Sequence, residues 1–381
     1  MKTIKTMVLI LLLFVSADLL FAGNEVQERT QSFSVSKGGA LIVNVNPGDI
    51  IISVWEKNEV QIKVKGLDED ELDDLEMKMR DNKVYIDYDS DWGGSHNAKF
   101  YVLMPSQFDV DIRTTGGDID IKGNLKGKLE ISTSGGDIDF NDVVGEVNVN
   151  TSGGDIKCGD VQGRVRMNTM GGDIRIGRVK AGDAKVTTMG GDIKVGDIDS
   201  DLTVKTYGGD IEVGNVGGSA SVETYGGDII IKNVSGSVDM STYGGDLSLK
   251  SASGIIKANT YGGNITLENI TGSVDAKTAA GRIYVELNPS GKGRSRLKTS
   301  AGEIKLVIPA SAKVTIEAEI EIDGRWKSGK REYKVYSDFT AKSYVTDDDE
   351  RIIKAVYELN GGGELITLET VNSDIRIVKS R

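Results

Sequence analysis

The sequence has little of what most enzymes and metal sites are built from. Its 381 residues include one cysteine, Cys158, and one histidine, His96. No disulfide can form within the chain, and a multi-histidine metal site or a serine–histidine relay has little to work with. We therefore expect no cofactor and no metal centre, and most familiar classes of hydrolase are disfavoured.

Proline and positive charge are also scarce. Only 4 prolines accompany 48 glycines, and the glycines lack a three-residue period, so a collagen helix is excluded. Lys and Arg total 46 against 58 Asp and Glu, which gives a net charge of -12. This acidic balance disfavours nucleic acid and anionic membranes as partners.

Only the N-terminus holds a long apolar run. Residues 7–22 are mostly apolar, follow two lysines and include the small residues Ala17 and Ala22. This pattern predicts a secretory signal peptide at 1–22, cleaved after Ala17 or Ala22. The run contains Asp18 and is short for a bilayer, which takes about 20 residues, so an uncleaved anchor is the alternative. We expect a periplasmic, surface-exposed or secreted mature protein without a stable membrane span.

The dominant feature is an internal repeat of about 18 residues. The tripeptide Gly-Gly-Asp recurs eight times, and degenerate copies end at Asn264, Arg282 and Glu303. Its aspartates are Asp118, Asp137, Asp155, Asp173, Asp192, Asp210, Asp228 and Asp246. From Asp118 to Arg282 the copies are 18 or 19 residues apart. A spacing this regular is typical of stacked structural units.

Within each repeat, apolar and polar residues alternate with the period of a β-strand. The inward row after each aspartate includes Ile211 and Val213, and it also includes Cys158, which we expect to be a small buried hydrophobe. Such short strands satisfy their backbone by pairing with their equivalents in the next repeat. The sequence therefore predicts an all-β, right-handed parallel β-solenoid with 18-residue coils.

Non-repeating β segments flank the repeats and are predicted to act as caps. We place an N-terminal β region and cap at 23–111, the Gly-Gly-Asp solenoid at 112–308, and C-terminal β segments and a cap at 309–381. Divergent ends are expected because terminal coils must cover exposed core and strand edges. The acidic stretch 68–79 is predicted to be a short helix or a solvated loop.

The repeated Thr-x-Gly-Gly-Asp-Ile units and the closing stretch 369–377, ETVNSDIRI, resemble the bacterial putative-adhesin family of GGDI-repeat β-solenoid proteins. The resemblance covers nearly the whole mature chain. It implies an exported or surface-associated protein of unknown function, with no catalytic residues to carry over.

The repeated aspartates form a predicted ladder with two possible roles. Their carboxylates can accept backbone N–H groups in the turns, or Ca²⁺ can bridge successive carboxylates. The turn role is favoured because Asn264 and Arg282 occupy the same row. The threonine four places before each aspartate is predicted to point inward and to bond the turn backbone.

The row just before each Gly-Gly pair is predicted to face outward. It consists of Ser134, Ser152, Met170, Met189, Tyr207, Tyr225, Tyr243, Tyr261 and Ala279. The four tyrosines in consecutive coils can brace the corner by packing on one another. They can also form a contact strip for carbohydrate or peptide, because exposed aromatic patches mark recognition surfaces.

These features favour an exported, non-catalytic interaction or adhesion scaffold of the cell envelope. Its partner would be an envelope protein or glycan, and end-to-end self-association is also open. The alternative is a ligand- or calcium-binding solenoid. A β-helix carbohydrate-active enzyme ranks third, because the constant coil length leaves no room for cleft-building loops, and the largest insertion, 288–296, lacks a phosphate-loop pattern.

Overall fold

The computed structural model describes residues 27–89, 98–291, 293–323, 332–347 and 351–380, which form 39 strands and one short helix. The N-terminal elements are β1 (Gln27–Ser34), β2 (Gly39–Asn46), β3 (Asp49–Trp55), β4 (Glu59–Leu67), α1 (Glu69–Asp73), β5 (Glu76–Arg80), β6 (Lys83–Asp89) and β7 (Lys99–Pro105). The signal peptide predicted at 1–22 and His96 lie outside the described residues.

The repeats follow with two or three strands per coil. They are β8 (Phe108–Thr114), β9 (Ile119–Lys122), β10 (Leu125–Lys126), β11 (Leu129–Ser132), β12 (Ile138–Phe140), β13 (Val143–Val144), β14 (Val147–Asn150), β15 (Ile156–Cys158), β16 (Val161–Gln162), β17 (Val165–Asn168), β18 (Ile174–Ile176), β19 (Val179–Lys180) and β20 (Ala184–Thr187). Next come β21 (Ile193–Val195), β22 (Leu202–Lys205), β23 (Ile211–Val216), β24 (Ala220–Glu223), β25 (Ile229–Val234), β26 (Val238–Ser241), β27 (Leu247–Ala252), β28 (Ile256–Asn259), β29 (Ile265–Ile270), β30 (Val274–Thr278), β31 (Ile283–Leu287), β32 (Ser295–Thr299) and β33 (Ile304–Ile308).

The C-terminal elements end the chain. They are β34 (Val314–Glu321), β35 (Val335–Ser337), β36 (Ser343–Thr346), β37 (Ile352–Leu359), β38 (Glu364–Val371) and β39 (Ile375–Lys379).

Equivalent strands of successive coils pair in parallel, residue for residue. Ile211 of β23 lies opposite Ile229 of β25, which lies opposite Leu247 of β27, and all three side chains are buried. The polar residues between them face solvent, so each coil adds a slice to one continuous core. The prediction of an all-β parallel β-solenoid with 18-residue coils and flanking β segments is confirmed.

The two 19-residue coils place their extra residue at corners, outside the paired strands. In one coil the strand offset changes from 19 to 18 around Gly123, whose φ is 101°. In the other it changes from 18 to 19 around Ala181, whose φ is 57°. Each insertion bends the backbone into the left-handed region and leaves the core registration intact.

The N-terminal end is more than a cap. Strands β2 and β3 form a coil that lies between the coil of β6 and β7 and the coil of β8 and β9, all in parallel. Antiparallel strands β1, β4 and β5 then cover this end. The acidic stretch 68–79 begins with the short helix α1, which Asp68 caps, as predicted, but it ends in most of strand β5, where a helix or loop was expected.

The C-terminal end has a related arrangement. Strands β38 and β39 add a parallel coil directly onto β32 and β33. On the far side, β34 pairs in parallel with β38 and β35 pairs in parallel with β39. Strands β37 and β36 follow β34 in antiparallel pairing. Parallel pairing thus extends past residues 112 and 308, the bounds that the sequence predicted for the Gly-Gly-Asp solenoid.

Candidate interaction surface at the Gly-Gly corner

Successive coils approach each other closely at the Gly-Gly corner. A Cβ atom built on Gly227, the second glycine of its pair, would lie 2.1 Å from the carbonyl oxygen of Gly209 in the preceding coil. On Gly226, the first glycine, it would lie 3.1 Å from the nearest atom, the oxygen of Gly208. The second glycine is therefore required by backbone contact, because no side chain fits between the coils.

From Thr169 onward a buried threonine ties the corner to the preceding coil, whereas Thr114 and Thr133 bond the backbone of their own turn. The Thr224 Oγ1 donates to the carbonyl oxygen of Gly209 at 2.9 Å, and it accepts the N–H of Gly227 at 3.4 Å. The same inward position is buried at Thr114, Thr133, Thr151, Thr169, Thr188, Thr206, Thr224, Thr242, Thr260, Thr278, Thr299 and Thr370. The predicted inward role of this row in bonding the turn backbone is confirmed.

The aspartates accept backbone N–H groups, as the turn role predicts, but the donor belongs to the next coil. The Asp210 Oδ1 accepts the N–H of Asp228 at 2.8 Å. The same bond, at 2.6–3.1 Å, links successive residues of the row from Asp49 through Asn264 to Arg282. Asparagine keeps this bond because its Oδ1 is also an acceptor.

In each ladder carboxylate, one oxygen is therefore occupied by a backbone N–H of the next coil. Among the described residues, no three His, Cys, Asp or Glu side chains come together in a group that could hold a metal ion. The ladder from Asp118 to Asp246 is thus an inter-coil tie, and calcium bridging stays an alternative hypothesis.

The outward row changes from small to aromatic side chains along the rod. The exposed fractions are 45% for Tyr207, 50% for Tyr225, 60% for Tyr243 and 58% for Tyr261. We call these four residues the tyrosine strip. Met170 and Met189, in the two preceding coils, are exposed to a similar degree. The row therefore presents a continuous exposed patch of large side chains on a backbone fixed by hydrogen bonds.

The tyrosine strip consists of two stacked pairs. The ring centroids of Tyr207 and Tyr225 are 5.1 Å apart with an interplanar angle of 8°. Those of Tyr243 and Tyr261 are 4.9 Å apart with an interplanar angle of 4°. The Lys205 Nζ lies 5.2 Å from the centroid of the Tyr207 ring, within cation–π range. The strip thus braces the corner and leaves about half of each ring accessible, so the two readings of this row are compatible.

Cys158 lies in the core. Burial raises the pKa of its thiol to about 12, so it stays protonated near neutral pH and is a poor nucleophile. The expectation of a small buried hydrophobe is confirmed. In the 288–296 insertion, Arg296 forms an ion pair of 2.8 Å with Glu369 of β38, so it helps to hold β32 and β38 together.

Sequence reasoning missed that other corners use the same tie. The Asp142 Oδ1 accepts the N–H of Asp160 at 2.9 Å, and the Asp160 Oδ1 accepts that of Arg178 at 2.8 Å. In the next coils, the Oδ1 of Asp197, which follows β21, accepts the N–H of Asn215 in β23 at 2.8 Å. The 18-residue spacing of Asp142 and Asp160 was the signal for this second ladder.

The chain has low-identity similarity to several solved structures. No curated protein matches the chain. A solved structure from Bacteroides fragilis named a "putative adhesin" shares 18% identity with a TM-score of 0.30, over 64% of this chain and 97% of that one. A "putative adhesin" from Parabacteroides merdae shares 13% with a TM-score of 0.24, over 74% and 97%. A "putative lipid binding protein" from Parabacteroides distasonis shares 16% with a TM-score of 0.25, over 74% and 95%.

In the described ranges no helix is long and apolar enough to cross a bilayer. The family model described as Toastrack DUF4097 matches residues 39–251, from the start of β2 into β27. This match spans more than half of the sequence, and the chain therefore belongs to the Toastrack DUF4097 family.

Proposed function

We propose that the protein is an exported, non-catalytic scaffold for interactions at the cell envelope or surface, with the tyrosine strip as its contact surface. One observation carries the proposal: four large aromatic side chains in consecutive coils are each about half exposed. Tyrosine is enriched at interfaces because it buries apolar area and keeps a polar group in reach of a partner. The partner class is an envelope protein or glycan.

The rigidity of the corner supports a role in binding. Each tyrosine follows a buried threonine and precedes a Gly-Gly pair, and both are tied to the preceding coil by hydrogen bonds, as at Thr224 and Gly226. Side chains held on such a frame lose little conformational freedom when a partner binds, which favours affinity. The scaffold thus presents a preorganised surface.

The alternatives have less support in the structure. For calcium binding, one oxygen of each ladder aspartate is already engaged by a backbone N–H, as in Asp210. For a carbohydrate-active enzyme, the coils around the strip keep an 18-residue length, and no loop rises between them to form a cleft.

The test is a quadruple variant in which Tyr207, Tyr225, Tyr243 and Tyr261 are each replaced by Ser, the residue that this row already has at Ser134 and Ser152. Binding of the purified mature protein to an isolated envelope fraction should fall at least tenfold, while the solenoid stays folded by circular dichroism. Forfeited ring contacts, at about 0.5–1.5 kcal/mol per aromatic pair, should lower the melting temperature only modestly.

The matched control is a triple variant in the same coils, on the outer face of the sheet that contains β23, β25 and β29. Its substitutions are Glu212→Ser, Ile230→Ser and Thr266→Ser. These side chains lie on the strands that follow the corner and face away from the core. The control should keep envelope binding. Unchanged binding by the tyrosine variant, with only a stability loss, would reduce the strip to a structural brace.

A further inference from the structure

A row of exposed aspartates accompanies the tyrosine strip. In three consecutive coils, only two glycines separate the tyrosine from an exposed aspartate: Tyr207 from Asp210, Tyr225 from Asp228, and Tyr243 from Asp246. We call these three aspartates the acidic row. The first glycine of each pair is exposed and has no side chain, so an exposed backbone segment links the aromatic and the acidic residue of each corner.

The acidic row carries negative charge that nothing nearby neutralises. Within the described part of the chain, no ion pair reaches Asp210, Asp228 or Asp246. Two cations that line the same surface depression as Asp210 and Asp228 are already engaged, because Arg175 pairs with Asp173 at 2.9 Å and Lys194 pairs with Glu212 at 2.7 Å. A cationic ligand would therefore meet uncompensated charge at the acidic row.

The tyrosine strip suits a cation better than a sugar ring. Stacking covers the faces that Tyr207 and Tyr225 turn towards each other, and likewise those of Tyr243 and Tyr261. These covered faces cannot serve as platforms for a sugar. Accessible ring surface and hydroxyl groups remain, and the position of Lys205 over the Tyr207 ring shows that a cation is accommodated beside the strip.

We propose that the acidic row and the tyrosine strip together bind a basic, extended segment of a partner protein, rich in Arg or Lys. The inference rests on the proposed function and names the partner chemistry. Guanidinium groups form paired hydrogen bonds with carboxylates and pack on aromatic rings, so arginine can contact both the acidic row and the tyrosine strip. Coils about 4.8 Å apart give the acidic row a length of roughly 10 Å, which three to four extended residues cover.

The experiment measures fluorescence anisotropy of a labelled eight-residue peptide, (Arg-Ser)4, with the full mature protein, and uses (Glu-Ser)4 as the peptide control. The test variant is Asp210→Asn, Asp228→Asn and Asp246→Asn. Asparagine keeps the Oδ1 acceptor, as Asn264 already does in this row, so the fold should persist. The matched control removes the same charge from corners without tyrosine: Asp118→Asn, Asp137→Asn and Asp155→Asn.

We expect wild type to bind (Arg-Ser)4, more weakly as salt is raised, and not to bind (Glu-Ser)4. The acidic-row variant and the tyrosine variant should each lose at least tenfold in affinity, and the control triple less than threefold. Equal losses in the two aspartate triples would overturn the proposal, since the peptide would then sense only the overall charge of -12. Binding of a glucosamine oligomer in place of the peptide would also overturn it.

The two proposals fail in different ways. If the tyrosine variant loses envelope binding while the acidic-row variant keeps it, the scaffold function stands and the basic partner is wrong. If neither variant changes envelope binding, the contact surface itself is wrong.

Discussion

The solenoid has two regions that share one repeat and differ in cross-section. In the first, residues 119–205, a separate four-stranded sheet of β10, β13, β16 and β19 forms a third side. In the second, residues 211–270, the strands of the first sheet lengthen to six residues and absorb that side, with Ile198 bridging the two arrangements. The outward corner row becomes tyrosine at the same place, from Tyr207 onward.

One position differs between most of these coils. Gly159, Gly177 and Gly196 of the first region correspond to Lys232, Lys250 and Glu268 of the second, whereas Asn141 of the first region and Gly214 of the second break this pattern. A Cβ atom on Gly177 would lie 2.7 Å from both the Asp160 Oδ1 and the Gly159 carbonyl oxygen, so a side chain does not fit at that turn. Gly214 nevertheless lies inside a six-residue strand, so glycine at this position permits the turn and does not impose it.

The comparison teaches that coil shape and corner chemistry vary independently of the core. Both regions keep the same inward threonine and the same close approach at the second glycine. The corner can therefore change its outward residue from Ser to Met to Tyr without disturbing the stack. Such a surface can be altered for a new partner while the rod stays constant.

The largest expected effect is common to both regions, because both have a dry core. Ile156→Asp in the first region and Ile211→Asp in the second each place a carboxylate at a position that is 1% exposed. Each should lower the free energy of unfolding by several kcal/mol, since the buried charge has no partner. Chemical denaturation measures this loss.

The neighbouring position provides the control. Glu212→Lys changes a side chain that faces solvent and removes its exposed ion pair with Lys194, so it should cost no more than about 1 kcal/mol. Comparable losses in Ile211→Asp and Glu212→Lys would show that the assigned facing of β23 is wrong.

An intermediate effect tests whether the corner is equally tight in both regions. Gly172→Ala and Gly227→Ala would place a Cβ atom 2.2 Å and 2.1 Å from a carbonyl oxygen of the preceding coil. Each should cost about 2–3 kcal/mol by forcing the backbones apart. The first glycine of the pair is the matched control: Gly226→Ala, with its nearest contact at 3.1 Å, should cost clearly less. A tolerant Gly172→Ala beside a damaging Gly227→Ala would mean that the corners differ.

The sequence was sufficient to predict what repeats and insufficient for what does not. The 18-residue period and its alternation predicted the buried rows at Ile211 and Val213 and the exposed tyrosines, because these follow from local pattern. The placing of β2 and β3 between two later coils depends on long-range pairing, which no local pattern encodes.

The candidate site was predicted in part. The outward direction of the tyrosine strip followed from alternation, and its stacking was anticipated. The division into two stacked pairs depends on side-chain conformations that the repeat does not specify. The inter-coil donor for each aspartate, as for Asp210, was not anticipated, since a turn sequence does not show which backbone lies above it.

The smallest expected effect is confined to the first region and concerns its extra corner residue. Six described residues other than glycine have positive φ, and five of them are Asn or Asp; the sixth is Ala181, with φ 57°. Alanine in this conformation costs roughly 1–2 kcal/mol, whereas asparagine and glycine tolerate it. Because Ala181 is exposed, Ala181→Asn should disturb no packing and should raise the free energy of unfolding by about 0.5 kcal/mol. Ala181→Gly should raise the free energy of unfolding by less, because glycine also increases the entropy of the unfolded chain.

Differential scanning calorimetry of both variants measures these changes in stability, with the exposed Ser221→Asn of the second region as a control. A loss of stability in both Ala181 variants would show that this corner is not strained and that the first region accommodates its extra residue at no cost.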